Sequence, residues 1–423
     1  MLVSSYSREL SKSLGNVVDP LDVIDGITLE QLNSKLLQGN LDPREVARAT
    51  QGQRESFPDG IASCGADALR FGLLAYSSQG SNVNLDIQRV VAYSHFGNKL
   101  WQATRFALLK FDKDFQKPQS LADVQRSVKA GGFSTRFIMS RLAAAVQRAN
   151  TGFADYQFAE VTTAVYNFWL YELCDVYLEL IKPMFPFGEQ STEAPIDPSP
   201  ARESALAVLY TCLRSGLLLL HPLMPFISEE LWHRLPGAMT TEEQKTGTGG
   251  RKHCGSIMVE RYPTVEEFSL FVDPEIEQLH SVLEELGKSA RSTRSNLGLL
   301  PKQRQDIYVL CSDAHTVAQL EPHTRDIGTL AMAKSVTVLE QRPTVNCSSS
   351  VVSPAIELLT SLEGVDFTAE LVKMEKQLDS LNDSIRQLKD KMAAVGYEKS
   401  KDCLLYTSPS PRDRTRSRMP SSA

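Results

Sequence analysis

The sequence predicts a mainly α protein: an antiparallel helical bundle, then a small α/β subdomain, then a coiled-coil helix. Three observations carry this. Between residues 81 and 236, apolar residues recur at intervals of three and four through several consecutive segments. Beyond residue 300, short β-branched runs such as "DIYVLC" and "AKSVTVLE" replace that rhythm. From Leu371 the spacing tightens to a strict heptad, with Leu371, Met374, Leu378, Leu381, Ile385, Leu388, Met392 and Val395 alternating by three and four.

Taken in order, residues 1–80 read as loop-rich, because "DP", "GN", "DG" and "CG" turn signals punctuate short apolar pieces. A helix is expected near Gly65, where "GADALRFGLLAY" places Asp67 in the first turn, favourable to the helix dipole, and Arg70 three residues on. A longer helix is expected from Asn84, its cap, to Phe111, with Phe96, Leu100, Ala103, Ala107 and Phe111 on one side. Further helices are expected over 133–149, 158–182 and 201–220, the last with an amphipathic stripe of Leu206, Leu209, Leu213, Leu217 and Leu220. A final bundle helix starts at "PFISEELW", with Ser228 as its N-cap. Residues 237–258 turn to Thr, Gly, Lys and Glu and read as a flexible insertion. Residues 259–364 hold a helix near 274–296 and three strands around a helical stretch, and 365–401 form the heptad arm. That arm fits either a dimerisation coil or one half of a hairpin that closes on its own chain. Residues 402–423, rich in Ser, Pro and Arg and without periodicity, read as a disordered tail foreign to what precedes them.

Composition narrows the function classes. Hydrophobic residues at 42% and charged ones at 23% are ordinary for a globular protein, and no uninterrupted apolar run approaches the roughly 20 residues of a membrane span. Seven dispersed cysteines without a CxxC pair, and seven dispersed histidines, argue against a disulfide framework or a side-chain metal site. A net charge of −6 does not mark a nucleic-acid binder overall and leaves room for a basic face. Cys174 and Cys212 lie in helical patterns and read as small buried hydrophobes, and His221, between an apolar helix and two prolines, as a structural histidine. In "FWLYELCDVYLEL", Phe168, Leu173, Val176 and Leu180 share one side, so core packing is expected.

Two constellations carry chemistry. The loop "LSKSLGNVVDP" sets Lys12 between Ser11 and Ser13, a point charge flanked by two hydroxyls, which suits a polyphosphate whose developing charge needs neutralising. The same pattern also serves as a solvated loop with a helix cap. On the helix after Asn84, Asn98, Trp101 and Arg105 fall opposite the apolar stripe, and Lys99 beside them is a further candidate RNA contact. An aromatic flanked by a polar group and cations can stack on an unpaired base and hold phosphate, or Trp101 can pack against a second helix.

"LSKSLGNVVDPLDVI" resembles the signature loop of the class I aminoacyl-tRNA synthetases, usually written KMSKS. With "FPDGIASCGADALRFGLLAYSSQG", "NLDIQRVVAYSHFGNKLWQATRFAL" and "HPLMPFISEELWHRLP", the chain is similar to eukaryotic-type cytosolic members of the valyl-tRNA synthetase family, from about Arg8 to Lys401. The resemblance implies that residues 1–80 end an α/β catalytic domain, that 81–236 are an antiparallel anticodon-binding bundle, and that 365–401 are the first helix of a hairpin. It implies a ligase that joins L-valine to tRNA(Val) through valyl-adenylate. ATP with its Mg2+ would be the cofactors, and the partners would include other translation factors. Lys12 would be the catalytic cation, Ser11 and Ser13 would shape the ATP loop, and the setting would be cytoplasmic with no membrane. Glu9 and Leu10 replace the usual first Lys and Met, setting a negative charge beside the polyphosphate. No H-x-G-H string occurs among these residues, so the histidine motif and valine pocket are expected upstream and this chain alone is expected to be inactive. The other function class is a non-catalytic tRNA-binding or scaffolding module that reuses the bundle.

Overall fold

The computed structural model describes residues 2–3, 19–38, 43–77, 83–84, 86–111, 115–185, 200–237, 255–299, 303–363 and 368–393. Most of the 237–258 insertion and the whole of the 402–423 tail lie outside them.

The first module is more helical than its turn signals suggest. It contains α1 (Pro20–Ile24), α2 (Leu29–Gln38), α3 (Pro43–Ser56) and α4 (Ala66–Ala75). The turn signals are real, but they fall between helices. In α2, among the described side chains, only Leu32 and Leu36 are buried, a stripe too thin to stand out among Gln, Asn, Ser and Lys. Ile27 and Ile61 exchange both backbone hydrogen bonds, at 2.9 and 2.8 Å. The crossing is tight enough that a Cβ on Gly60, at φ +83°, would meet the Ile27 carbonyl at 2.3 Å. Two short parallel strands, β1 (Leu2–Val3) and β2 (Val83–Asn84), tie the start of the chain to the entrance of the bundle.

The bundle comprises α5 (Ile87–Leu108), α6 (Leu121–Ala130), α7 (Phe133–Ala154), α8 (Phe158–Asn167), α9 (Leu178–Ile181), α10 (Pro200–Leu220) and α11 (Pro225–Trp232). The cap of α5 is Asp86, whose carboxylate accepts from the Gln88 amide at 2.9 Å; Asn84 instead lies in β2. Helix α6 was not foreseen, although Ser120 and Asp123 form a reciprocal capping box. Between α8 and α9 the chain winds as a π-helix over Phe168–Tyr177 rather than as one continuous α-helix. That winding suits a segment whose fully buried side chains, Phe168, Trp169, Leu173 and Tyr177, recur at intervals of four and five. The Trp169 indole donates to the Gly216 carbonyl at 3.1 Å and the Tyr177 hydroxyl to the Ala205 carbonyl at 2.9 Å, so both polar tips are satisfied on α10.

Helix α10 departs from the amphipathic expectation. Its leucine stripe is buried, but so are Ala205, Val208, Cys212, Leu218 and Leu219 on its other sides. By length and composition it is apolar enough to cross a membrane, and 83% of its apolar window is buried, as befits the central helix of a bundle.

The junction begins with α12 (Val265–Phe268) and α13 (Pro274–Asn296). Asp273 caps α13, accepting from the Ile276 amide at 3.2 Å, and also takes Arg136 of α7 at 2.6 Å, while Glu277 accepts from Ser140 at 2.6 Å. A four-stranded sheet follows in the order β4-β3-β6-β5, with β3 (Asp306–Cys311) parallel to β4 (Ser335–Leu339) and antiparallel to β6 (Ile356–Ser361). Two helices, α14 (Ala314–Leu320) and α15 (Thr324–Ala331), make the crossover that a parallel pair requires. β5 (Cys347–Ser353) and β6 form a hairpin. Strand β6 was missed because "IELLTS" mixes three apolar residues with Glu, Thr and Ser without alternating, although as an interior strand it buries Leu358, Leu359, Thr360 and Ser361 alike. Helix α16 (Thr368–Ala393) carries the heptads.

Candidate RNA-binding face

Ser11, Lys12 and Ser13 lie outside the described residues. The other predicted group lies on α5. Phe96, Leu100, Ala103 and Ala107 are buried in the core, and Asn98, Lys99 and Arg105 are exposed on the opposite side. At 100° per residue Asn98 and Arg105 share one face, and Lys99 is exposed about 120° round the helix from Arg105.

Charge distinguishes this face. Helix α5 has 22 residues, among them Arg89, Lys99 and Arg105, and no Asp or Glu. Helix α7 has the same length and likewise no acidic residue, yet its three arginines are all taken up in ion pairs within the chain. Arg136 pairs with Asp273 at 2.6 Å, Arg141 with Glu172 at 2.6 Å and Glu277 at 3.4 Å, and Arg148 with Glu160 at 2.9 Å. The ion pairs found among the described residues include none to Lys99 or Arg105. Two cations are left facing solvent on a helix that offers them no local counter-charge, which is the electrostatic requirement for holding phosphate.

Trp101 is placed differently from its neighbours. It is half-buried, and the Arg234 guanidinium, just past α11, lies 4.7 Å from its ring centroid. Arg234 is itself held by Glu230 one turn earlier. One ring face of Trp101 is thus covered by the turn that follows α11. Sequence reasoning missed Arg234, and no local signal in "LWHRLP" marks it as the partner of a tryptophan on another helix.

The seam between α5 and α11 is set from a third helix. Gly97 faces Ile227 closely enough that an added Cβ would lie 3.5 Å from its Cδ1. The start of α11 is capped by Asp67 of α4, whose carboxylate accepts from the amides of Phe226 at 3.2 Å and Ile227 at 2.7 Å. Burial raises the Asp67 carboxyl above its ordinary range, and the two amides oppose that shift. Arg70, one turn along α4, donates to the Pro222 carbonyl at 3.2 Å. Ser228 is not the N-cap; it lies within α11, fully buried, donating to the Met224 carbonyl at 2.7 Å. Its hydroxyl also meets His221 Nδ1 at 2.7 Å, and burial lowers the His221 pKa, as fits a satisfied structural histidine. The thiols of Cys174, pushed up to about 12, and Cys212, pushed up further still by complete burial, are packing groups.

A cavity of about 400 Å³ opens between the first module and the start of α5, lined by Thr28, Gln31, Phe57, Asp59 and Gln88 among others. It lies at the opposite end of α5 from Arg105. Among the described residues, no group of three or more His, Cys, Asp or Glu side chains converges.

Comparison with known proteins defines the class. Residues 1–86 match the family described as tRNA synthetases class I (I, L, M and V), and residues 135–309 match the anticodon-binding domain of tRNA ligase. The second match starts within α7 and runs through α13 into β3, so α5 lies between the two matched segments. By sequence, two segments of the chain thus match class I tRNA synthetases and their anticodon-binding domain. More narrowly, the chain is homologous to part of the valine–tRNA ligases. It is 41% identical over 397 residues to that of Rattus norvegicus, covering 93% of this chain and 29% of the relative. The Homo sapiens protein is 41% identical over 400 residues with the same coverage, and that of Caenorhabditis elegans 37% over 409 residues, covering 94% and 36%. The chain thus spans roughly a third of the length of these relatives.

Proposed function

We propose that this chain is the C-terminal, tRNA-binding part of a cytoplasmic valine–tRNA ligase that joins L-valine to tRNA(Val) using ATP. Homology along 93% of the chain to valine–tRNA ligases is the observation that carries the reading. Within it, Lys12 neutralises the ATP phosphates and the departing pyrophosphate, with Ser11 and Ser13 shaping the loop. Such a lysine works by charge rather than by proton transfer. ATP brings its own Mg2+. The amino-acid pocket and histidine motif belong to the remainder of the ligase, so this chain binds tRNA without forming adenylate.

The α5 face supplies phosphate contacts through Lys99 and Arg105, with Asn98 beside them and the Trp101–Arg234 pair bounding them. Each phosphate neutralised contributes about 0.7–0.9 to the slope of log K against log salt. Over a fourfold change in salt, losing one contact therefore changes relative affinity about threefold, and losing two about ninefold. The test is tRNA(Val) binding by fluorescence anisotropy between 50 and 200 mM salt. Arg105→Ala should bind more weakly with a shallower slope, and the Lys99→Ala/Arg105→Ala variant about twice as much so. Arg148→Ala, which removes a cation already paired with Glu160, should leave the slope unchanged. Equal slopes for all three variants would remove α5 from the interface.

A further inference from the structure

We infer that the cavity between the first module and the start of α5 is a site for a guanine base. Its walls are fixed by the backbone. The chain enters the α2–α3 hairpin at Ile27 and leaves it at Ile61, and these two residues pair backbone to backbone, so the hairpin is pinched at its base. Gly26 and Gly60 flank the pinch, both at φ +83°, and a Cβ on Gly26 would lie 2.7 Å from the Ser63 amide nitrogen. The first turn of α5 closes the cavity on another side, where the Asp86 carboxylate holds the Gln88 amide at 2.9 Å. A site formed in advance spares its ligand the ordering that mobile walls would cost.

The lining selects the ligand. A volume of about 400 Å³ falls in the range of small-molecule sites. The lining includes the buried Ile27, Ile61 and Ile87 and the half-buried ring of Phe57, while Gln31 and Asp59 are exposed. A flat ring system with polar edges fits that distribution. No Lys, Arg or His is among the described residues that line the cavity, so a phosphate or carboxylate group finds no cation there. The Asp59 carboxylate only accepts hydrogen bonds. Gln31 has its side-chain oxygen engaged by the Thr28 amide at 3.2 Å, which leaves its NH2 group to donate. Guanine presents the matching edge, with the O6 acceptor next to two donors, N1–H and the N2 amine. Adenine presents one donor next to the N1 acceptor, which would face the Asp59 carboxylate with no proton between them.

Equilibrium dialysis of the full chain against GMP, IMP and AMP tests this, because the three carry the same phosphate and differ only in the base. GMP should bind roughly tenfold or more tightly than AMP, with IMP, which lacks the N2 amine, in between. Asp59→Asn, at an exposed position, should erase that preference, and Phe57→Leu should weaken GMP and AMP alike by about tenfold. Equal binding of GMP and AMP to the wild-type chain, binding of neither, or a preference that survives Asp59→Asn would overturn the inference. The base can come from a bound RNA or from a free nucleotide, and tRNA(Val) binding separates the two. If RNA supplies it, which rests on the tRNA-binding function proposed above, Asp59→Asn should also weaken tRNA(Val) binding with the salt slope unchanged, since a base contact neutralises no phosphate. That outcome is distinct from the shallower slope expected of Arg105→Ala, so either reading can fail without the other. Unchanged tRNA(Val) affinity together with a lost GMP preference identifies a free guanine nucleotide as the ligand.

Discussion

Removing the Asp67 carboxylate should loosen α11 without touching α11 itself. Its two oxygens accept from the amides of Phe226 and Ile227 at 3.2 and 2.7 Å, donors that have no partner inside their own helix. Replacing a capping side chain by alanine destabilises by about 0.5–2 kcal/mol, and a charged acceptor lies toward the upper end of that range. Against this stands the desolvation of a partly buried carboxylate, which alanine relieves. The net expectation for Asp67→Ala is a loss of about 1 kcal/mol, while Asp67→Asn, which keeps one acceptor oxygen and sheds the charge, should lose about half as much. Because the folded-state carboxyl is raised, the unfolded chain ionises first as pH rises. The contribution of Asp67 is therefore fully present below the ordinary carboxylate value and declines as pH rises through the folded value. Urea denaturation against pH measures both effects, and hydrogen exchange at Phe226 and Ile227 localises them. An Asp67→Ala variant with unchanged midpoint and unchanged protection at those two amides would refute the cross-helix cap.

Gly216→Ala should destabilise by about 1–3 kcal/mol in chemical denaturation, because the new Cβ would lie 2.9 Å from Trp169 Cζ2 and 3.1 Å from Phe168 Cε1 inside a filled core. Gly52→Ala in α3, where a Cβ meets nothing within 4 Å, should instead stabilise by about 0.5–1 kcal/mol. His280 is stacked on Phe137 with ring centroids 3.8 Å apart, and burial lowers its pKa to about 4. The unfolded chain therefore takes up the proton first as pH falls from about 6.5 toward 4, and up to about 3 kcal/mol of stability should be lost across that window. His280→Leu should flatten that part of the profile, and an unflattened profile would assign the acid sensitivity to other groups. Lys12→Ala, placed in a complete ligase, should slow valine-dependent pyrophosphate exchange far more than it weakens tRNA(Val) binding. Equal losses in the two assays would contradict a role at the ATP phosphates.

Sequence and structure agree where a pattern is local and repeated. The buried stripe of α5, the burial of Phe168, Leu173 and Leu180, and the long helices expected over 133–149 and 274–296 all follow from apolar periodicity, because burying one side of a helix needs side chains every three or four residues. Helices α2, α3 and α6 escaped because each is polar, and α2 and α6 bury only two residues apiece among those described. Cap positions were misplaced at Asn84 and Ser228, since several residues near each helix start could cap it and the chain geometry selects among them. The exposed side of α5 was legible, but the Trp101–Arg234 contact was not.

The sequence by itself determined the kinship to tRNA synthetases, the α5 stripe with its acid-free outer side, and the heptad phase of α16. All of these are written in residue order and spacing. Only the tertiary structure decided which cations are used up and which remain free. Arg136 meets an acid from another helix 137 residues away in sequence, and Arg141 one 31 residues away, while Lys99 and Arg105 meet none among the described residues. Coulombic pairing depends on distance in space, and spacing along one helix carries no information about which distant element folds back against it.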